Sequence, residues 1–221
     1  MSSHDAPAEA AEPTALREPI TSEEALRALL GQPGAPALEK QIDHLDAHCR
    51  RFLALSPLLF ISTANRAGLC DVSPKGDAPG FVHMLSEKLL AIPDRPGNRR
   101  ADTLRNILEN PQVGLLFFIP GLRETLRING HATLYTDAAL LESLSAQGKA
   151  PQLAIVVEAQ EVFLHCGRAL IRSHLWETAS WPPAEALPSA PQIFADHIAL
   201  PGVTCEVAEQ SLEASYTTNL Y

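Results

Sequence analysis

The chain has 221 residues, of which 46% are hydrophobic and 19% are charged, and this composition predicts one globular domain with peripheral additions. A net charge of −9 argues against nucleic acid as the main partner, because binding to a phosphate backbone requires a broad basic surface. The four cysteines form no CxxC pair, no apolar run has the length of a membrane span, and the N-terminus lacks the features of a signal peptide. We therefore expect a cytoplasmic protein that binds neither nucleic acid nor a membrane.

The predicted elements begin after residues 1–20, whose Ala, Pro and Glu content predicts a flexible tail. A helix is expected from Thr21 and a second one over residues 37–54. Strands are expected over residues 58–63, 69–73, 81–85, 89–93, 113–119, 124–135 and 153–164. Further helices are expected over residues 98–109, 137–146, 168–176, 191–198 and 203–216.

Short strands joined by turns of hairpin length indicate an antiparallel sheet in a mainly β fold with peripheral helices, of the α+β class. A sheet of six or more strands must hide its edges, and a small barrel does so economically. The absence of regular strand–helix–strand alternation argues against a doubly wound nucleotide fold. We assign residues 21–180 to this domain and residues 181–221 to a C-terminal extension that packs on the barrel or on a partner subunit.

The segment IPDRPGNRRADTLRNI over residues 92–107 carries the sharpest local signal. A strand ends, Pro96-Gly97 turns the chain, and Asn98 is a suitable N-cap for a helix whose free N–H groups and dipole favour an anion. Charge-assisted donors matched to phosphate oxygens come from Arg95, Arg99 and Arg100. The alternative is that these arginines are exposed, or paired with Asp94, Asp102 and Glu109.

Two further segments offer polar groups. Ser73 and Lys75 leave a strand in the sequence DVSPKGD, where Lys75 reaches either an anion or solvent. Thr125, Arg127 and Asn129 share one face of a strand by its two-residue period. If Leu126 and Ile128 face the core, this polar set points to solvent or to a ligand.

The segment HCGRALIRSHLW over residues 165–176 is also dense in functional groups. Arg168 and Arg172 are i,i+4 neighbours that repel each other unless an anion joins them. Trp176 either stacks on a planar ring or is simply packed. We predict no metal site, because His44 and His48 lack a clear third ligand, and the sequence nominates no catalytic residue.

Taken together, the SPKGD, IPDRPGNRR, LENPQVGLLF and LRING series resembles the pyridoxamine 5′-phosphate oxidase-like flavoproteins, and most closely an FMN-dependent branch with DVSPxGD, IPDRPGNxR and HCxxAxxRSxLW patterns. The resemblance covers residues 38–176. It implies the FMN-binding split-barrel fold, a six-stranded antiparallel split β-barrel. It also implies a homodimer with two FMN sites at the subunit interface. The Arg-Leu-x-Pro-type ending that binds substrate in the true oxidases has no match here, so pyridoxamine phosphate is not implied as the substrate.

The resemblance also implies roles for individual residues. Arg99 and Arg100 would grip the flavin phosphate, next to Arg95 and Asn98, and the flavin would lie along Ile92, Pro93 and Asp94. Thr125, two residues before Arg127, would contact the ring, and Ser73 and Lys75 would line its other edge. The partner subunit would contribute His165, Arg168, Arg172 and Trp176.

The function implied is an FMN-dependent oxidoreductase with an unidentified small-molecule substrate or electron donor. The alternatives are a non-catalytic flavin carrier and a related barrel that binds haem or a deazaflavin.

Overall fold

In a computed structural model, which describes residues 18–218 and 220–221, the chain divides into two units after Glu39. Most of the predicted tail over residues 1–20 lies outside the described residues. The smaller unit contains helices α1 (Glu23–Leu30) and α2 (Ala35–Glu39). Ser22 caps α1 by accepting a hydrogen bond from the Ala25 N–H at 3.1 Å, which explains why the helix begins where the sequence predicted.

The larger unit, from Lys40 to Tyr221, is built on a single antiparallel sheet. Its strands are β1 (Leu58–Ala64), β2 (Cys70–Gly76), β3 (His83–Met84), β4 (Leu89–Pro93), β5 (Gln112–Phe118), β6 (Thr125–Tyr135) and β7 (Ala154–His165). The spatial order is β2-β1-β5-β6-β7-β4-β3. The predicted mainly β fold with peripheral helices is confirmed. The strand count is seven, as the strand pattern predicted, rather than the six that the resemblance implies, because the two-residue β3 pairs with β4.

Alternation of buried and exposed residues explains how the sheet forms its core. In β1, Leu59, Ile61 and Thr63 are buried and the residues between them are not. The same core contains side chains from β4, β5, β6 and β7, including the fully buried Phe117 and Ile128. One face of the sheet therefore curves around one core. Each large apolar side chain buried there contributes about 1.5–3 kcal/mol.

The curvature brings the two ends of the sheet together. β2 is an edge strand and β4 is sixth in the order, yet Lys75 Nζ in β2 donates a 2.8 Å hydrogen bond to Asp94 Oδ1, directly after β4. Among the described residues, side chains join these two parts of the sheet, and β2 and β4 do not pair as strands. This geometry is that of a barrel left open along one seam, as the split-barrel prediction requires.

The described residues of the larger unit also form six α-helices, α3 (Ala47–Leu55), α4 (Asp102–Glu109), α5 (Ala138–Ser143), α6 (Arg168–Arg172), α7 (Ala190–Ile198) and α8 (Cys205–Thr217), and two short 3-10 helices, Thr178–Ser180 and Ala184–Ala186. The predicted single helix over residues 37–54 was wrong. Ile42 exchanges backbone hydrogen bonds with Val162 of β7, and Asp46 starts α3 afresh by accepting from the Cys49 N–H. Among the described residues, no helix combines the length and the apolar character needed to cross a bilayer.

The β-bulge between β6 and β7 provides a test of this fold. The register shifts at Asn129 and Gly130, and a Cβ on Gly130 would overlap the carbonyl oxygen of Glu158. We expect Gly130→Ala to lower the free energy of unfolding by about 1–3 kcal/mol, because the backbone must shift to relieve the overlap. Urea unfolding followed by circular dichroism measures the loss. Gly97→Ala is the control, since its Cβ would meet nothing within 4 Å, and an equal loss in both variants would contradict this account.

Candidate functional site

A cavity of about 1000 Å³ lies at the seam of the sheet. Its walls come from β2, from the loop between β4 and α4, from the segment before β7, and from the C-terminal segment. The lining residues are Ser73, Lys75, residues 94–104, residues 149–153, Ser215 and Tyr221. The cavity therefore brings together seven of the predicted site residues, namely Ser73, Lys75, Asp94, Arg95, Asn98, Arg99 and Arg100.

The polar wall on β2 follows from strand alternation. Asp71, Ser73 and Lys75 pair with the buried Thr63, Ile61 and Leu59 of β1, so they point to the same side of the sheet as the core. Val72 and Pro74, between them, are exposed on the outer face. An edge strand with polar residues on its inward face can line a hydrophilic cavity without interrupting the apolar core.

The loop between β4 and α4 differs from its prediction. The expected helix over residues 98–109 begins only at Asp102, and Asn98 is not its N-cap. The Asn98 side chain instead accepts a 3.0 Å hydrogen bond from the Arg100 N–H, which closes a local turn. Arg99 and Ala101 have φ of 61° and 57°, in the left-handed region, so the chain cannot continue as a helix through them.

The start of α4 faces the cavity with an uncapped N-terminus. Ala101 occupies the N-cap position, and no side chain accepts from the first turn. Asp102, Thr103 and Leu104 line the cavity, and they form the first turn of an eight-residue helix, which carries partial positive charge. This turn can donate to an anion.

Two arginines stand beside this turn in different states. Arg100 Nε donates to Asp102 Oδ2 at 2.8 Å, while its side chain remains 74% exposed. Arg99 forms no ion pair or side-chain hydrogen bond with any residue in the described ranges 18–218 and 220–221. The alternative weighed from the sequence, that these arginines are exposed or paired with carboxylates, thus describes both residues, since Arg100 is paired with Asp102 and Arg99 is exposed.

A buried ion pair anchors the opposite side of the loop. Arg95 Nε donates to Asp77 Oδ2 at 2.7 Å, and the Asp77 side chain is only 3% exposed. Burial disfavours the charged carboxylate, but donors from Tyr221 Oη, the Ala78 N–H and Arg95 outweigh it and hold the pKa of Asp77 below its usual value. Asp77 therefore remains ionised, and it fixes the loop to the end of β2.

A hydroxyl network connects β2 to α4. The buried Thr103 Oγ1 lies 2.7 Å from Asp71 Oδ2 and 3.0 Å from Ser73 Oγ, and Ser73 Oγ also donates to Asp71 Oδ2. The network holds the first turn of α4 against the edge strand. The position of the uncapped N–H groups is therefore determined by β2.

Two predicted residues of β4 are near the cavity but not on its wall. Ile92 is fully buried in the apolar core, and Pro93 is buried at the end of the strand. Neither side chain lines the cavity. Their contribution within this chain is to position Asp94 and the loop that follows.

The other six predicted residues lie at the far end of β6 and β7. Thr125 pairs with His165 at this end, whereas Tyr135 pairs with Ala154 at the cavity end. The two ends are separated by roughly 35 Å of strand. We call this set, Thr125, Arg127, His165, Arg168, Arg172 and Trp176, the distal group.

Trp176 and Arg127 of the distal group are positioned by contacts with neighbouring residues. Trp176 Nε1 donates to Leu122 O at 2.8 Å, next to the start of β6. The Arg127 guanidinium lies 5.3 Å from the Phe163 ring centroid, and Leu126 and Ile128 on either side of it face the core as expected. Thr125 is buried, so its side chain is less available to a ligand than predicted.

Several residues in or beside the cavity were not predicted. Asp71 and Asp77 do not line the cavity but hydrogen-bond to its residues Ser73 and Arg95, and they share the inward face of the β2 segment, so the two-residue period contained a signal for them. Lys149 and Tyr221 come from distant parts of the chain, and no local pattern marks them. In the described part of the chain, no three His, Cys, Asp or Glu side chains are grouped as metal ligands would be.

Comparisons with known proteins complete the description of the site. The family model described as pyridoxamine 5′-phosphate oxidase matches residues 45–166, which is more than half of the chain and includes the β4–α4 loop. A search of curated proteins finds no match.

Solved structures give similar but distant matches. HupZ of Group A Streptococcus is 18% identical with a TM-score of 0.45, covering 54% of this chain and 92% of its own. A candidate pyridoxamine 5′-phosphate oxidase of Lactobacillus delbrueckii is 18% identical with a TM-score of 0.45, covering 55% and 95%. An FMN-binding protein of Syntrophomonas wolfei is 10% identical with a TM-score of 0.41, covering 64% and 95%.

The lowered pKa of Asp77 leads to a prediction about pH. Since the folded pKa is below the unfolded value of about 3.9, the stabilisation is complete above that value and is lost as pH falls through the folded pKa. We expect Asp77→Asn to lower the free energy of unfolding by about 3 kcal/mol at pH 7, and this difference to shrink below about pH 4. Urea unfolding of both proteins between pH 3 and 7 measures it. A difference that stays constant over this range would contradict the role given to the carboxylate.

Proposed function

Since the chain belongs to the pyridoxamine 5′-phosphate oxidase family, we propose that it is a flavin-dependent oxidoreductase that binds FMN in the seam cavity. The uncapped first turn of α4, with Arg99 beside it, is the observation that carries this proposal. A cavity of about 1000 Å³ is at the upper end of the range for cofactor pockets. Bound FMN would supply hydride or electron transfer, and the protein would supply binding and orientation.

The residues around the first turn of α4 fit a phosphate group. The first turn of α4 lines the cavity without a capping side chain at Ala101, and the positive end of a helix favours a dianion. Arg99 can add charge-assisted donors without breaking an existing ion pair. Arg100 must exchange Asp102 for the phosphate, but that ion pair is exposed to solvent and weakly stabilising, so the exchange costs little.

The flavin ring would then extend from the phosphate along the seam. Lys75 and Asp94 form a 2.8 Å ion pair whose side chains are about one-fifth exposed, so both can contact a ligand while remaining ordered. An ammonium group near the ring favours the reduced, anionic form of a flavin electrostatically. Ser73 offers a hydroxyl on the same wall.

The distal group requires a second copy of the chain. It lies at the other end of β6 and β7, and a partner in a symmetric dimer can bring its own distal group to this cavity. The outer face of β1, β2 and β5 supports such a dimer, because it exposes Phe60 and Val72 beside Leu116 and Phe118. We therefore propose a homodimer with two sites, each built from both chains.

A flavin carrier without turnover is the second candidate. Among the described residues that line the cavity there is no His or Cys, and Asp94 and Asp102 are held in ion pairs. The other described groups on the wall that can transfer a proton, Lys75, Lys149 and Tyr221, also form hydrogen bonds within the chain, so no unpaired catalytic acid or base is evident there. Oxidation of NAD(P)H under air by the flavin-loaded protein would favour the oxidoreductase. The mass of the small molecule released on denaturation would separate FMN from haem or a deazaflavin.

The phosphate grip is tested by replacing its two arginines. We expect Arg99→Ala with Arg100→Ala to weaken FMN binding by about 100-fold or more, because each arginine supplies at least one hydrogen bond to a charged group, worth about 1.5–3 kcal/mol. Fluorescence titration with FMN measures the dissociation constant. Arg105→Ala is the matched control, since Arg105 is exposed on the same helix and does not line the cavity. Stoichiometric flavin in the double variant would count decisively against the site.

Mixed dimers test whether each site uses both chains. Arg99→Ala and Arg127→Ala homodimers are each expected to bind FMN weakly. After the two variants are unfolded together and refolded as an equal mixture, about a quarter of all sites should combine an intact loop with an intact distal group and regain wild-type affinity. If the titration of the mixture shows no sites with wild-type affinity, Arg99 and Arg127 do not belong to one site shared between two chains.

A further inference from the structure

The side chain of Tyr221 is the least expected part of the cavity wall. Its hydroxyl donates to Asp77 Oδ1 at 2.7 Å, and its ring centroid lies 5.9 Å from the Arg95 guanidinium carbon. Its backbone oxygen accepts from Lys149 Nζ at 2.8 Å. Three independent contacts therefore hold this residue in the cavity, far in sequence from the residues it touches.

The contact with Asp77 places Tyr221 in a chain of hydrogen bonds that ends at the ligand cavity. Asp77 Oδ1 accepts from the Ala78 N–H at 2.7 Å as well as from the Tyr221 hydroxyl. Its other oxygen, Oδ2, accepts from Arg95 Nε. With two donors on Oδ1, that oxygen has no lone pair left for a second bond from the guanidinium.

The two hydrogen bonds that Asp77 Oδ1 already accepts determine how Arg95 is oriented. An arginine beside a carboxylate commonly forms a bidentate pair, with two parallel N–H donors on the two oxygens. Here the second oxygen is taken, so Arg95 bonds to Asp77 through Nε alone. Arg95 lines the cavity, and its terminal nitrogens, which form no hydrogen bond with a described residue and are not buried, remain available to a ligand. The ring of Tyr221 over the guanidinium further restricts its rotation.

We propose that Tyr221 is a positioning residue for anion binding: its hydroxyl occupies Asp77 Oδ1 and thereby keeps the terminal nitrogens of Arg95 directed to the ligand phosphate. This inference rests on the proposed function for the identity of the ligand. Loss of the hydroxyl frees Oδ1, and Arg95 then turns into a bidentate pair with Asp77 and withdraws donors from the cavity. The raised pKa of Tyr221, caused first by its hydrogen bond to Asp77, keeps the hydroxyl protonated and donating.

Tyr221→Phe tests the proposal, because it removes the hydroxyl and keeps the ring. We expect FMN to bind about tenfold more weakly, equivalent to about 1.4 kcal/mol, while riboflavin, which lacks the phosphate, binds as tightly as to the wild type. Tyr216→Phe is the matched control, since Tyr216 is exposed on α8 and does not line the cavity. In an Arg95→Gln background the effect of Tyr221→Phe should disappear.

The outcomes separate this inference from the function on which it rests. If Tyr221→Phe weakens the binding of FMN and of riboflavin equally, the role of Tyr221 is merely structural. If Tyr221→Phe leaves the affinity for FMN unchanged, Tyr221 has no role in binding. Either result overturns the proposal. Inorganic phosphate, assayed by the rise in thermal midpoint that it causes, serves as an independent probe. If the wild type binds phosphate but no flavin, and Tyr221→Phe weakens the phosphate effect, the proposed function fails and the role of Tyr221 stands. If neither ligand binds the wild type, both fail.

Discussion

The buried ion pair between Asp77 and Arg95 is the interaction on which the cavity depends. It joins the end of β2, an edge strand, to the loop that follows β4 near the other edge of the sheet. A buried charge pair stabilises a fold only when its remaining donors and acceptors are satisfied, and here Ala78 and Tyr221 satisfy Asp77. Among the described residues no buried side-chain polar atom lacks a partner. The seam is therefore closed by polar contacts and lined by polar groups, which leaves space for a charged ligand.

The second constraint is the left-handed turn at Arg99 and Ala101. In a helix that began at Asn98, the Asn98 side chain would cap the first N–H groups, and Arg99 would lie on the side of the helix. The two positive φ angles are incompatible with such a helix, and α4 therefore begins only at Asp102. The first turn then meets the cavity without a capping side chain. The strained loop leaves the first turn of α4 without acceptors from the chain. A bound anion can supply these acceptors and thereby stabilise the loop.

Some features of the sheet and of the cavity could be predicted from local sequence patterns, and others could not. Strand periodicity located the sheet and its core, and the clustered arginines identified the loop that lines the cavity. The start of α4 was misplaced because an Asn before polar residues is compatible with both an N-cap and a local turn, and only the backbone angles distinguish them. The break between α2 and α3 depends on pairing between Ile42 and Val162, and the role of Tyr221 depends on Asp77. Contacts between residues so distant in sequence leave no local pattern.

The predicted site residues lie at two opposite ends of the sheet, and this separation limits how one chain can contribute to a site. β6 and β7 run continuously from the cavity to the distal group, and a strand of this length cannot fold back to bring its own ends together. A site that contains both groups must therefore take one from each of two chains. In a twofold dimer, one such contact implies a second identical one, so the exposed apolar face of β1, β2 and β5 has to match itself across the axis. Placing the phosphate grip in one chain and the ring contacts in the other would make cofactor binding and dimerisation stabilise each other, because each completes a surface that the other leaves open.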